Sequence, residues 1–302
     1  MRVWAGILPQ YFAYQDAKRT NIKTAVVTGA GGFLGTRVVS CLKLQGWKVV
    51  EALHGTILID GNVHSFDLNS PETIKNLKVL APIDAIIHLG CKVGWNEEKN
   101  GDLRAANVDA TCELAKIAVE KNAKIIFASS AIVCGSKTSL INSDSHLHPD
   151  TPYAESKLEA ERMIMKAKTN HCILRFCGLW GERGPEHLML NRAINKALDG
   201  KAPTIYGSGR AVRNYLYVMD AAEIVIDSLN EQKQGTYLVG GAERLSISEM
   251  LKKVCQVFLP GQVPQHVEHE DALDQIIEST YTILNRMTFH ERLIAIKKGL
   301  TY

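Results

Sequence analysis

The sequence predicts an α/β fold, a doubly wound parallel sheet with a smaller C-terminal substrate lobe, and three observations predict it. An apolar run, Thr24 to Thr28, turns through Gly29-Ala30-Gly31-Gly32-Phe33-Leu34-Gly35 into an amphipathic segment. Short apolar strands then alternate with helical segments as far as Ser129, the rhythm of a parallel sheet covered on both faces. Beyond about residue 176 the remaining segments, a helix, a strand and two further helices, describe a second lobe.

A strand that turns through glycines into a helix gathers backbone N–H groups and the positive end of the helix dipole at one point, where a pyrophosphate can sit. The glycines at 29, 32 and 35 follow a GxxGxxG spacing rather than the commoner GxGxxG. The strand before them and the helix after them mark the turn as a dinucleotide site.

The chain has 302 residues, 46% of them hydrophobic, enough to bury a large core. Lys+Arg 35 against Asp+Glu 32 gives a net charge of +3, too small and too dispersed to point to nucleic acid. The seven cysteines (41, 91, 112, 134, 172, 177 and 255) are scattered and form no zinc-type cluster, so they read as buried thiols of a reducing compartment. No stretch reaches the length of a membrane span, and Val3 to Leu8 is too short for a secretory apolar region. These readings lead to an expected cytoplasmic location, no membrane and no metal.

Residues 1–22 form an N-terminal extension without clear periodicity. Lys23 to Thr28 is the expected first strand. Phe33 to Leu44 is the first helix, with Leu34, Val38, Cys41 and Leu42 on one apolar face. Trp47 to Leu53 is the second strand. Its end, where an NAD site often carries an acid for the adenine ribose, holds Leu53 and His54, with Glu51 close by in uncertain direction and no following Arg. NAD is therefore preferred over NADP only weakly. Val63 to Leu68 reads as a third strand, followed by a helix with Ser70 at its N-cap and Pro71 at its first position. Asp84 to Gly90 is a fourth strand of the doubly buried type, Leu103 to Val119 a helix carrying Asn107, and Lys124 to Ser129 the next strand.

Ser129 and Ser130 stand at the carboxyl edge of that strand, where open α/β sheets place ligands. Downstream, Thr151-Pro152-Tyr153-Ala154-Glu155-Ser156-Lys157 opens a helix on which Tyr153 and Lys157 share a face. An ammonium beside a phenol is expected to lower the phenol pKa, making Tyr153 a general acid/base, with the Ser130 hydroxyl on the reacting oxygen.

The chain resembles the extended short-chain dehydrogenase/reductases of the NAD-dependent epimerase/dehydratase family, built on a Rossmann domain. The resemblance rests on Thr28 to Gly35, Asp67-Leu68, Ile87-His88-Leu89-Gly90, Asn107-Val108, Ser129 to Gly135, and Tyr153 with Lys157. It continues through Leu174-Arg175, Trp180-Gly181, Ile205-Tyr206-Gly207, Arg213 to Asp220 and Tyr237 to Gly241. It implies that Gly29, Gly32, Phe33, Leu34 and Gly35 hold the pyrophosphate, that Asp67 and Leu68 lie at the adenine, and that Gly90 lines the cofactor. It implies further that Ser130 and Tyr153 address the substrate, while Lys157 holds the nicotinamide ribose and tunes Tyr153. A homodimer through the helices carrying Asn107 and Tyr153 is a fold-level expectation.

Family dehydratases carry an acidic pair after the hydroxyl residue; Ala131-Ile132 stand there, so elimination is disfavoured. The Ser-Ala-Ile arrangement resembles the sugar 4-epimerases, and Arg213 matches the arginine those enzymes present to a nucleotide diphosphate, a task suited to its forked donors. The expected function is epimerisation of a nucleotide sugar through a transient ketone, with NAD as cofactor and NADP not excluded. Two departures support an alternative, a dissociating dehydrogenase or reductase of a non-nucleotide alcohol or ketone: Gly178 replaces a usual Asn, and Cys134 a usual aromatic. Gly178 is reminiscent of the 3β-hydroxysteroid dehydrogenase branch. The expected domains are residues 23–175 for the dinucleotide-binding part and 176–302 mainly for the substrate lobe, with some segments returning to the sheet. A helix over His187 to Leu198, a strand over Pro203 to Tyr206, and helices over Asp220 to Leu229 and Ser246 to Val257 compose that lobe.

Overall fold

A computed structural model describes residues 22–59, 61–80, 82–94, 103–282 and 287–300. The N-terminal extension, apart from its last residue, lies outside them. Strand β1 (Thr24–Thr28) is completely buried, as its apolar sequence requires, and occupies the middle of an eight-stranded sheet. On one side it pairs in parallel with β2 (Lys48–Ala52), on the other with β5 (Ala85–His88). Parallel pairing continues through β6 (Lys124–Ser130), β8 (His171–Phe176) and β13 (Gly235–Val239). The chain reverses its winding between β1 and β5, and the loops at their carboxyl ends meet at the switch point where such sheets bind ligands.

One face of the sheet packs Val27, Ile87, Ile126 and Leu174 against helices α1 (Gly35–Leu44) and α6 (Val218–Asn230). The opposite face packs Val26, Ile86, Ile125, Phe127 and Ile173 against α3 (Ala110–Glu120) and α4 (Pro152–Lys166). Alternate residues of each strand thus serve opposite cores. A single π-helical turn, Ala105–Asp109, leads into α3 and buries Asn107 within the helix expected from Leu103.

The far edge departs from the sequence reading, which gives no element to residues 55–59. Strands β3 (Gly55–Ile59) and β4 (Asn62–Phe66) form an antiparallel meander on β2. The cause is a tight turn: Leu53 and Thr56 exchange backbone hydrogen bonds (3.0 and 3.3 Å), and Gly55 takes φ +85°, which glycine adopts without strain. The expectation for Ser70 also needs correcting. It occupies the N-cap of α2 (Pro71–Ile74), but its side chain makes no capping bond; instead the Thr73 hydroxyl meets the Ser70 carbonyl (2.8 Å) and accepts from the Asp67 amide (2.9 Å).

After β8 the chain builds the second lobe from β9 (Leu179–Trp180), α5 (Met189–Leu198), β10 (Thr204–Tyr206), β11 (Val212–Arg213) and β12 (Leu216–Tyr217). Strand β14 (Leu245–Ser246), α7 (Ile247–Phe258), β15 (Gln265–Val267), β16 (Ile276–Ile277), which pairs in parallel with β7 (Leu140–Ile141), and α8 (Phe289–Lys297) complete it. Helix α6 and strand β13 return to the main sheet from within this stretch. Ser246 and Glu249 form a reciprocal capping box that fixes the start of α7. Among the described residues no helix is long and apolar enough to cross a membrane, and no cluster of His, Cys, Asp or Glu is arranged to hold a metal ion.

Candidate active site

The glycine turn is tight because backbone meets backbone. A Cβ on Gly35 would lie 2.0 Å from the Gly29 carbonyl oxygen, and one on Gly29, whose φ is +66°, would lie 2.7 Å from Gly90 Cα. Only glycine fits either place. Gly31 and Gly32 face outward and are exposed, so a bound phosphate group would approach bare backbone. Helix α1 carries no acidic residue in its first turn, leaving its positive end uncompensated. This cradle fits a dinucleotide pyrophosphate. Phe33 lies beside it, under the Arg37 guanidinium (5.0 Å) and next to Gly181, while Leu34 is buried in the core.

Gly90 completes the crevice. A Cβ there would meet Leu68 Cδ1 at 2.8 Å, so Leu68, Gly90 and Gly29 line one contiguous wall. Asp67 is turned inward on its own loop: its carboxylate accepts from the Asn69 amide and side chain (both 2.9 Å). Glu51, whose direction the sequence leaves uncertain, pairs with Lys43 at 2.6 Å.

A buried hydrogen-bond chain joins this crevice to the helix of Tyr153. Gly90 donates its amide to Thr28 Oγ1 (3.2 Å), whose hydroxyl meets His88 Nδ1 (2.6 Å). His88 Nε2 meets Thr111 Oγ1 (2.9 Å), which donates to the Asn107 carbonyl (2.6 Å). All donors are satisfied when His88 is neutral with its proton on Nε2. Burial, helped by the Lys157 charge, lowers the His88 pKa to about 3, which keeps it so. The Asn107 side chain then clasps the backbone of Lys92 (2.8 and 2.9 Å) and donates to Ser156 (3.0 Å), whose hydroxyl donates to the Tyr153 carbonyl (2.8 Å).

Helix α4 begins where the sequence places it, with the Thr151 hydroxyl accepting from the Ala154 amide and Pro152 in the first turn. Lys157 is 2% exposed; it donates to the Ala128 carbonyl at 2.8 Å and lies over the rings of Phe127 (4.7 Å) and Tyr153 (5.9 Å). It therefore ties α4 to the end of β6, two residues before Ser130. Ser129 and Ser130 alternate across the strand. The Ser129 hydroxyl goes to the fully buried Glu161 (2.5 Å), which also holds Arg175 in a two-pronged ion pair (2.7 Å). Ser130 remains at the sheet edge, its hydroxyl accepting from the Ile132 amide at 3.4 Å.

One expectation is overturned. The sequence reading has Lys157 lowering the Tyr153 pKa, whereas burial, reinforced by a hydrogen bond to the Cys91 thiol, pushes it well above the ordinary phenol value. Desolvation of the phenolate outweighs the ammonium, which sits over the ring and is committed to Ala128. Cys91, read from sequence only as a buried thiol, is half-buried and contacts the acid/base candidate; its position directly after Gly90 is the signal that could have marked it.

The lobe contributes a wall of different character. Phe176 pairs with Ser130, and two residues further Gly178 lies against the ring of Tyr215: a Cβ on Gly178 would sit 2.4 Å from Tyr215 Cε1. An Asn at 178 would have no room. Arg213 hydrogen-bonds the carbonyls of Val212 (2.9 Å) and Leu273 (2.5 Å) and also the Tyr215 side chain. The structure thus brings Ser130, Tyr153 and Lys157 to one sheet edge beside the glycine crevice. Asp67 is engaged within its own turn, and Arg213 stands in the lobe.

This combination of sheet, glycine crevice and Tyr/Lys helix defines a dinucleotide-dependent oxidoreductase or isomerase fold. Residues 25–240 match the model of the NAD dependent epimerase/dehydratase family, and the chain belongs to that family. A UDP-glucose 4-epimerase of Cyamopsis tetragonoloba is 31% identical over 254 residues, covering 69% of this chain and 71% of that protein. A 2-alkyl-3-oxoalkanoate reductase of Shewanella oneidensis is 27% identical over 315 residues, covering 90% of this chain and 76% of that one. Among solved structures, UDP-N-acetylglucosamine 4-epimerase from Bacillus cereus superposes with a TM-score of 0.75 at 24% identity, covering 93% of this chain and 98% of that one.

Proposed function

We propose that this chain binds NAD and epimerises a nucleotide-activated sugar at a carbinol carbon. The observation that supports this most is the clamp of Lys157 on Ala128, which fixes Tyr153 and Ser130 at the edge where the Gly29–Gly90 crevice opens. NAD, when bound, takes up and returns a hydride. Tyr153 transfers the hydroxyl proton of the reacting carbinol, Ser130 hydrogen-bonds the same oxygen, and Lys157 orients the ribose and the phenol. Gly29, Gly32 and Gly35 receive the pyrophosphate, Leu68 and Gly90 flank the adenine side, and Arg213 takes the substrate diphosphate. The absence of an acid or base at Ala131 and Ile132 favours epimerisation over elimination. The relationship to a UDP-glucose 4-epimerase supports the substrate class. The same reading includes a homodimer through α3 and α4 and action in the cytoplasm, consistent with seven unpaired cysteines.

The test is incubation of the purified protein with single UDP-hexoses and UDP-N-acetylhexosamines, followed by chromatography of the products. Interconversion of one epimer pair without net consumption of added cofactor is the expected result. One observation favours a second reading: Tyr215 fills the space above Gly178, so the wall beside Ser130 is aromatic where nucleotide-sugar members place an amide. That wall suits an apolar ketone, as does the relationship to the 2-alkyl-3-oxoalkanoate reductase. Stoichiometric oxidation of NADH or NADPH by a branched β-keto acid, with no turnover of UDP sugars, would replace the first reading by the second.

A further inference from the structure

Helix α1 opens on an arginine where its dipole favours an acid. Arg37 is the third residue of the helix, at the end whose free N–H groups repel a cation. Its guanidinium is nevertheless held there. Nη1 donates to the Phe33 carbonyl (3.0 Å), Cζ lies over the Phe33 ring (5.0 Å), and Nη2 donates to Glu182 Oε1 (3.0 Å). The two charged side chains are only 18% and 17% exposed, whereas pairs such as Lys78–Glu120 and Arg210–Asp271 stand largely in solvent. Water and salt therefore screen the Arg37–Glu182 pair much less than those.

Glu182 comes from 145 residues further along the chain, and the stretch that leads to it crosses the mouth of the site. That stretch leaves β8 at Phe176, the strand partner of Ser130, and reaches the glycine turn at Gly181, where a Cβ would lie 3.3 Å from Phe33 Cζ. One end thus stands at the residue assigned to the reacting oxygen and the other on the turn assigned to the pyrophosphate. A dinucleotide that joins those two points runs beside the stretch with its nicotinamide half. Gly181 donates its amide to the fully buried Asn191 (3.1 Å), and its carbonyl accepts from the Gly184 amide (3.3 Å), which closes a turn over residues 181–184. Glu182 Oε2 also faces the Tyr217 hydroxyl at 3.5 Å. Arg37 fastens this turn to the helix that carries the cradle.

We propose that the Arg37–Glu182 pair is the latch of the dinucleotide site, holding the stretch 177–184 against α1 so that a bound dinucleotide leaves only after the pair has parted. This rests on the dinucleotide-binding part of the proposed function and extends it. The glycine cradle decides that a dinucleotide binds, and the latch decides how long it stays. Both residues are positioning residues, read in the exchange of dinucleotide rather than in the chemical step.

The test is an exchange measurement on the full chain. Protein carrying NAD⁺, as purified or after loading, is mixed with an excess of isotopically labelled NAD⁺. At intervals unbound nucleotide is removed by gel filtration, the protein is denatured, and labelled and unlabelled dinucleotide are quantified by mass spectrometry. Glu182→Gln, which keeps the shape and removes the charge, is expected to exchange at least about tenfold faster than the unaltered protein, the size of one charge-assisted hydrogen bond. Arg37→Gln is expected to do the same, and the double variant to exchange no faster than the quicker single one, because the two side chains act as one unit. Glu182→Asp keeps the charge but shortens the reach; it is expected to fall between, and it carries the test if an amide variant does not fold. Unchanged exchange in these variants overturns the inference, as do effects that multiply in the double variant. Slower exchange in Glu182→Gln also overturns it, since a freed Arg37 would then be holding the phosphates itself. Each of these leaves the proposed function standing, whereas failure of the unaltered protein to take up NAD⁺ overturns both.

Discussion

The two walls of the site are made in different ways. On the dinucleotide side the contacts are backbone against backbone: Gly35 against the Gly29 carbonyl, Gly29 against Gly90, with a buried chain from Thr28 through His88 to Asn107 behind them. The glycines and the hydrogen-bonded Thr28, His88 and Asn107 leave little there that can vary without loss of the fold. On the lobe side the contacts are side chain against backbone or ring, as in Tyr215 over Gly178 and Arg213 on the Val212 and Leu273 carbonyls. Such contacts re-pack on substitution. On the proposed reading the first wall takes the dinucleotide and the second the substrate, and variants on each side separate the two.

The largest effect is expected at Tyr153, which belongs to neither wall but faces both. Tyr153→Phe keeps the ring and removes the proton; turnover should fall by roughly a hundredfold to ten-thousandfold with dinucleotide retention little changed. Steady-state kinetics beside quantification of the bound dinucleotide checks this, and undiminished turnover would remove Tyr153 from the chemistry. Next comes the Glu161–Arg175 pair that anchors α4. Glu161→Ala leaves a guanidinium that is mostly buried and the Ser129 hydroxyl without their partner, and should cost about 3–5 kcal/mol in urea unfolding, far more than an exposed pair. A loss below about 1 kcal/mol would show that α4 does not depend on it.

The hydrogen-bond chain of the first wall has its own signature. The folded His88 pKa, about 3, lies below the unfolded value of 6.5, so between these two the unfolded chain binds a proton that the folded one refuses. Stability should fall as pH drops from about 6.5 toward 3, by up to about 1.4 kcal/mol per pH unit from this group alone, and should level off below that window. His88→Gln should flatten that part of a plot of unfolding free energy against pH. A smaller effect belongs to the second wall: Arg213→Ala should raise KM for a UDP sugar by about tenfold or more, as for loss of a charge-assisted hydrogen bond, and leave dinucleotide binding unchanged. Equal loss on substrates without phosphate would contradict the diphosphate role.

The same division explains what could be read from the sequence. The alternation of strands and helices, the glycine turn and the shared face of Tyr153 and Lys157 follow from local patterns, namely apolar strands, glycine spacing and an i, i+4 pair, and these are visible in one dimension. The β3–β4 meander was hidden because short exposed strands alternate weakly and because Gly55 can serve a loop as well as a hairpin. The direction of the Tyr153 pKa was missed since proximity of Lys157 can be inferred from spacing, whereas burial and the Cys91 contact come from chain segments more than sixty residues away in sequence. Gly178 looked like a change of specificity from sequence alone; only its contact with Tyr215 shows what occupies the space.

The most direct test of the central account is mass spectrometry of the small molecules released on denaturing the purified, unsupplemented protein. An enzyme that returns the hydride it takes gains from keeping its cofactor through every turnover. About one nicotinamide dinucleotide per chain, retained through purification, is the expected result. A chain that carries none, yet oxidises added NADH or NADPH with a ketone substrate, would contradict epimerisation and assign the fold to a dissociating reductase.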